Sequence, residues 1–183
     1  MSFPQSKGLI LIQLAFRKQL KAFEESLNRY SIQELKPVHF NYEPLLEEDV
    51  AQIKAIQFFG EMITLMNAAI HLKHQHESLK HIDKTNLITH LNKTHLHALT
   101  LYAEMEIENP ELLAALGEQT SFRHALYFLL LIGLLHKGCT TYWTLKQPVI
   151  IHLCKSATLE SEKQFLLFLT YYYKLNRGEA VSY

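Results

Sequence analysis

A chain of 183 residues is the size of one domain, and 48% hydrophobic with 20% charged residues is ordinary globular material, which excludes a disordered tail or a collagen-like chain. Lys plus Arg balances Asp plus Glu at 18 each, so no net field draws the chain to phosphate backbones or anionic lipid, and nucleic acid is not an expected partner. Glycine and proline number only 6 and 5, so long regular elements are expected, and the Ala, Leu, Lys, Glu and Gln between them favour helix. The prediction is an all-α fold: a single domain over 1–183, built as an irregular bundle of about six to seven helices, with 177–183 a flexible tail.

The first helix is predicted from about Lys7 to Tyr30, because Ile12, Phe16, Leu20, Phe23, Leu27 and Tyr30 recur at steps of three and four. Ser31 and Glu34 have capping-box spacing, but Pro37 permits only a short turn there, and Pro37 to Glu43 reads as a connector. Pro44 suits the first turn of a long second helix, and the acidic run Glu47, Glu48, Asp49 complements the positive end of its dipole. Val50, Ile53, Ile56, Phe59, Ile63, Met66 and Ile70 form its stripe, and Gly60 is a place for a bend. This helix is expected to reach about His81, with Asp83 to Asn86 supplying a turn and the next cap. The third helix carries Leu87, Leu91, His95, Ala98 and Tyr102 on one side and ends near Glu106, forming an antiparallel pair with the second.

Asn109 as N-cap with Pro110 at the first helical position is the clearest helix start in the chain, and Gly117 is expected to end that short helix. Ser121 is read as the cap of a helix from Phe122 to Lys137, apolar nearly all round and so placed at the centre of the bundle, with Gly138 as its stop. Cys139 to Gln147 reads as a loop, Pro148 to Lys155 as a short apolar helix, and Ser161 with Gln164 as a second capping box before a final helix ending near Asn176.

Cys139 and Cys154 lack the spacing of a zinc, haem or disulfide framework and read as reduced thiols. Met1 to Gly8 lacks the charged and apolar regions of a secretory signal, and Ala125 to Leu135 falls short of the roughly 20 residues of a membrane span. A cytoplasmic protein is the expectation. Lysine outnumbers arginine 14 to 4, an association with AT-rich coding that points to a bacterium.

Seven of the eleven histidines fall between 71 and 97, on either side of the expected turn. A turn near residues 84 and 85 sets His74 opposite His95 with His71 one helical turn away, three imidazoles that could hold a transition metal such as zinc with Glu77 nearby. No HExxH, paired ExxH, HxxxH or Cys/His quartet accompanies them; the plainer reading is that His76, His90 and His97 are solvated while His74 and His95 are half-buried and hydrogen-bonded between helices, and titration near neutral pH is a further open role. Neither a nucleophile beside a histidine nor a glycine-rich phosphate loop is found, so no catalytic residue is assigned and an enzyme is not favoured.

Aromatic residues gather at Tyr142 and Trp143 and again at Tyr171, Tyr172 and Tyr173. Successive helical residues lie about 100° apart, so three consecutive tyrosines cannot all face a core, and exposed Tyr and Trp are enriched at interfaces. These five are the candidate partner-binding residues. The leading expectation is a non-enzymatic interaction module, an adaptor, chaperone or regulatory subunit without a cofactor, whose partner is another protein and whose self-association is left open. The alternative is a metal- or small-ligand-binding bundle using His71, His74 and His95.

Overall fold

The structure is a computed structural model that describes residues 5–27, 41–45, 52–75 and 81–135. Among these residues the chain is all helical. It forms α1 (Lys7–Leu27), a 3-10 turn (Glu43–Leu45), α2 (Ile53–Gln75), α3 (His81–Glu108), α4 (Pro110–Leu116) and α5 (Thr120–Leu135). No described helix is long and apolar enough to cross a membrane. Tyr142, Trp143, Tyr171, Tyr172, Tyr173, both cysteines and the segments beyond 135 lie outside the described residues.

Periodicity did most of the work in α1, α2 and α3. Ile12, Phe16, Leu20 and Phe23 of α1, Ile56, Phe59, Ile63, Met66 and Ile70 of α2, and Leu91, His95, Ala98 and Tyr102 of α3 are all buried. Side chains three and four positions apart share one helix face, so each stripe becomes a wall of the same core. Contacts between Ser6 and Gln52 and between Phe16 and Phe59 advance together along α1 and α2, so the two helices run in the same sense. Lys54 meets Glu104 at 3.0 Å and Glu108 as well, while Glu61 meets His97; that descending order makes α3 antiparallel to α2. α2 therefore lies between α1 and α3, and α5 packs on all three.

An aromatic cluster joins these helices. Phe16 and Phe59 stand with ring centroids 5.4 Å apart, Phe58 and Phe122 at 5.4 Å, and Phe59 and Phe122 at 5.9 Å. Phe23 meets Phe128 edge-on at 5.3 Å a turn or two further along α1 and α5. Tilted and edge-to-face rings place the positive edge of one on the negative face of another, adding about 0.5–1.5 kcal/mol per pair to the area they bury.

Local signals were answered unevenly. At Asn109 the expectation holds: its Oδ1 accepts from the Leu112 N–H at 3.2 Å, with Pro110 next in line. Ser6 caps α1 by accepting from the Leu9 N–H at 3.2 Å, while its own N–H donates to Gln52 Oε1 at 2.7 Å and ties the entry of α1 to α2. Pro44, expected to open α2, sits in the 3-10 turn, closed by Leu45 N–H donating to the Tyr42 carbonyl at 2.9 Å. The turn predicted at Asp83 to Asn86 is helical, because α3 already begins at His81. Gly117 does end α4, but with φ of −60° it is right-handed, and the Gly117, Glu118 and Gln119 N–H groups donate back to Leu113, Ala115 and Leu116. Ser121 is not the cap of α5: the helix starts at Thr120, so Ser121 falls inside the first turn.

Two glycines allow close approaches. A Cβ on Gly8 would fall within 3.0 Å of the Leu45 carbonyl oxygen, so only glycine lets the 3-10 turn rest on α1. Gly60, expected to bend α2, lies inside an unbroken helix and supplies room: a Cβ there would enter the Tyr42 ring.

Candidate functional site

Two groups of polar side chains stand out against this apolar interior. The first joins the 3-10 turn, α2 and α3. With Gly60 admitting its ring, Tyr42 reaches past α2 and its hydroxyl donates to Glu61 Oε1 at 3.2 Å; Glu61 Oε2 faces His97 Nδ1 at 3.4 Å. Glu61 is only 4% exposed, so its carboxylate depends on these neighbours for the hydrogen bonds that water would otherwise give. Burial, and then the negative charge and hydrogen bond of Glu61, push the Tyr42 hydroxyl up to about 12, so it remains a proton donor through the physiological range. The arrangement fixes three elements to one another.

The second group lines a cavity of about 760 Å³ between α1 and the first turn of α5, a volume within the roughly 300–1,000 Å³ typical of small-ligand sites. α1 contributes apolar Ile10, Leu14 and Leu20 together with Gln13 and Arg17; the opposite wall carries Glu118, Gln119, Ser121 and His124. Three polar atoms of these walls are buried without a hydrogen-bond partner: Gln13 Nε2, Gln119 Oε1 and Ser121 Oγ. Each of the three has almost no accessible surface, so it is enclosed behind the wall of the cavity, and Asn67 Oδ1 on α2 is in the same state; an unsatisfied buried group costs about 1–3 kcal/mol.

Local structure accounts for the placement of each. Gln13 occupies the stripe of Leu9, Phe16 and Leu20, four residues after the first and three before the second, and so points inward as they do. Its position there was legible as a polar residue on an apolar face. Gln119 immediately precedes α5, its carbonyl accepting the first intrahelical bond from Arg123 N–H at 3.1 Å. Ser121 follows two residues on, and Arg123 Nε donates to the Gly117 carbonyl at 2.7 Å, fixing the turn from which both residues project. Nothing local in the sequence marks these two, because only the packing of α5 on α1 brings them to Gln13.

The histidines are placed differently from the expected hairpin. The register that sets Lys54 by Glu104 and Glu61 by His97 brings His71 level with residues near 87 and His95 level with residues near 63. At 1.5 Å rise per residue the two are offset by roughly 12 Å along the helix pair. His95 is fully buried, and because a carbonyl can only accept, its Nε2 carries a proton donated to Leu129 O at 3.2 Å, linking α3 to α5. His71 is buried on α2, and the side chain of His74 lies outside the described residues. Among the described residues no three His, Cys, Asp or Glu side chains gather in a way that could hold a metal ion.

Comparison of the chain with protein-family models, with curated proteins and with solved structures returns no match.

Proposed function

We infer that this chain is a non-enzymatic interaction protein whose partner is another polypeptide. The observation that carries the reading is on α1, where Ile10, Leu11 and Leu14 remain 47%, 42% and 52% exposed although the opposite face of the same helix is fully buried. Single exposed apolar residues are ordinary, but three within five positions, two of them also lining the cavity, make a contiguous apolar edge. A helix that is apolar on both sides has one side for its own fold and one for something else. The reading carries with it a bundle of six to seven helices, with the apolar segment near 122–137 inside it and Tyr142, Trp143 and Tyr171 to Tyr173 as a further contact region.

Cross-linking in native extract, followed by peptide mapping, tests it. A defined partner cross-linked through α1, and lost on Leu14→Glu without a change in thermal stability, is the expected result. A chain that sediments as a monomer and cross-links to nothing through α1 overturns the reading. Cross-links between two copies through α1 assign the partner as a second copy of the chain.

A further inference from the structure

The charges on the outer face of α1 narrow what that partner presents, and this step rests on the interaction reading above. Lys7, Ile10, Leu11, Leu14, Lys18 and Lys21 are all exposed and share one side of the helix, opposite the buried stripe of Leu9, Ile12, Phe16 and Leu20. At 1.5 Å rise per residue they run for about 21 Å. The first carboxylate on α1 is Glu24, and among the described residues no ion pair holds Lys7, Lys18 or Lys21. Arg17 beside them faces the cavity, whose other wall carries Glu118, so its charge is set against an acid of the same chain. The stripe is therefore apolar in the middle and cationic at both ends, on a chain whose formal charges otherwise cancel.

Whatever covers the stripe has to answer both features. An uncharged apolar helix would lie over three ammonium groups, and a nucleic acid would leave the three apolar side chains without a counterpart. A second α1 does not fit either: paired antiparallel about Leu14 it sets Lys7 on Lys21 at both ends, and paired parallel it sets each lysine on its own copy. A helix lying on an anionic bilayer carries its cations on a polar face that stays in the headgroups. Here Lys7, Lys18 and Lys21 stand within roughly 40° of Leu14 around the helix axis, so pressing Leu14 into the acyl chains would carry the ammonium groups in with it. What remains is a polypeptide with apolar side chains in the middle of its contact and carboxylates on either side.

We propose that the outer face of α1 binds an acidic amphipathic helix, whose apolar residues lie on Ile10, Leu11 and Leu14 and whose carboxylates pair with Lys7, Lys18 and Lys21. The apolar contact supplies the burial, and the charges fix the register and exclude basic partners.

The test is a titration of the ¹⁵N-labelled full chain with a peptide of two Leu-Glu-Glu-Leu-Leu-Glu-Glu repeats, acetylated and amidated, and with its counterpart in which every Glu is Gln. Saturable shifts centred on the backbone amides of residues 7–21 are expected from the glutamate peptide. The glutamine peptide binds roughly tenfold more weakly, and so does the glutamate peptide to Leu14→Glu or to the double variant Lys18→Glu with Lys21→Glu. Lys93→Glu, which changes an exposed lysine on α3, leaves the affinity as it is. The proposal is overturned if the shifts do not saturate or centre elsewhere, if the glutamine peptide binds as tightly, or if Lys93→Glu weakens binding as much as the double variant. Vesicles of phosphatidylglycerol and phosphatidylcholine that shift the same amides as strongly as the peptide also overturn it, and assign the face to an anionic bilayer. A partner cross-linked through α1 together with a flat titration sinks this assignment and leaves the interaction reading standing. A saturating titration with no such partner does the reverse.

Discussion

Replacing Gly60 with alanine separates what a helix prefers from what this fold requires. In an isolated helix the change is favourable by about 1 kcal/mol, since glycine gives up more backbone freedom than alanine. Here the new Cβ would overlap the Tyr42 ring, and the ring, being at the end of a side chain, can relieve the overlap only by moving off α2. That movement breaks the hydroxyl bond to Glu61, a hydrogen bond to a charged group worth about 1.5–3 kcal/mol, and uncovers part of the ring's apolar area. Setting these against the helix gain leaves a net loss of about 1–3 kcal/mol. Urea unfolding of the wild type and Gly60→Ala, each also in a Tyr42→Ala background, measures it. With the ring absent the alanine has nothing to strike, so the same substitution should stabilise by about 1 kcal/mol. A Gly60→Ala protein more stable than wild type with Tyr42 present would refute the reasoning.

The same tyrosine gives a pH dependence. Its hydroxyl ionises near 10 in the unfolded chain and is pushed up to about 12 in the fold, so its contribution is fully present below pH 10 and is lost as the pH rises toward 12. The unfolding free energy from urea titrations should fall between pH 9 and 12 by about 1–2 kcal/mol more in wild type than in Tyr42→Phe, the figure being reduced for the part of the ring that faces water; equal slopes would remove the argument. Asn109→Ala deletes the acceptor for the Leu112 N–H and should cost about 1 kcal/mol, with Asn109→Asp near wild type, as read by thermal unfolding. Phe122→Ala empties the place where α5 meets Phe58 and Phe59, and a loss of about 3–5 kcal/mol is expected in denaturant titration. If it costs under about 1 kcal/mol, the aromatic cluster is not the joint between α5 and the other helices.

Periodicity and capping were legible because they are local. Apolar residues at three-and-four spacing fix which face of α1, α2 and α3 is buried whatever the neighbours are, and Asn109 with Pro110 satisfies its own helix end. The segment Asp83 to Asn86 misled for the same reason. Its residues favour turns by only tenths of a kcal/mol each, and the burial of Leu91, Thr94, His95 and Ala98 further along the same helix outweighs that preference. With α3 starting earlier, the observed register differs from the one drawn for the histidine hairpin, and the side chain of His74 lies outside the described residues.

The amino-acid order by itself determined that these segments are helices and which side of each is greasy, because both depend on residues within one or two turns of one another. Tertiary structure alone decided that Gln13, Gln119 and Ser121 share a cavity with their polar atoms unpaired, that Gly60 makes room for Tyr42, and that Glu61 lies between Tyr42 and His97. These facts depend on distances between atoms far apart along the chain, and such distances are set by how whole helices pack, which no local pattern encodes.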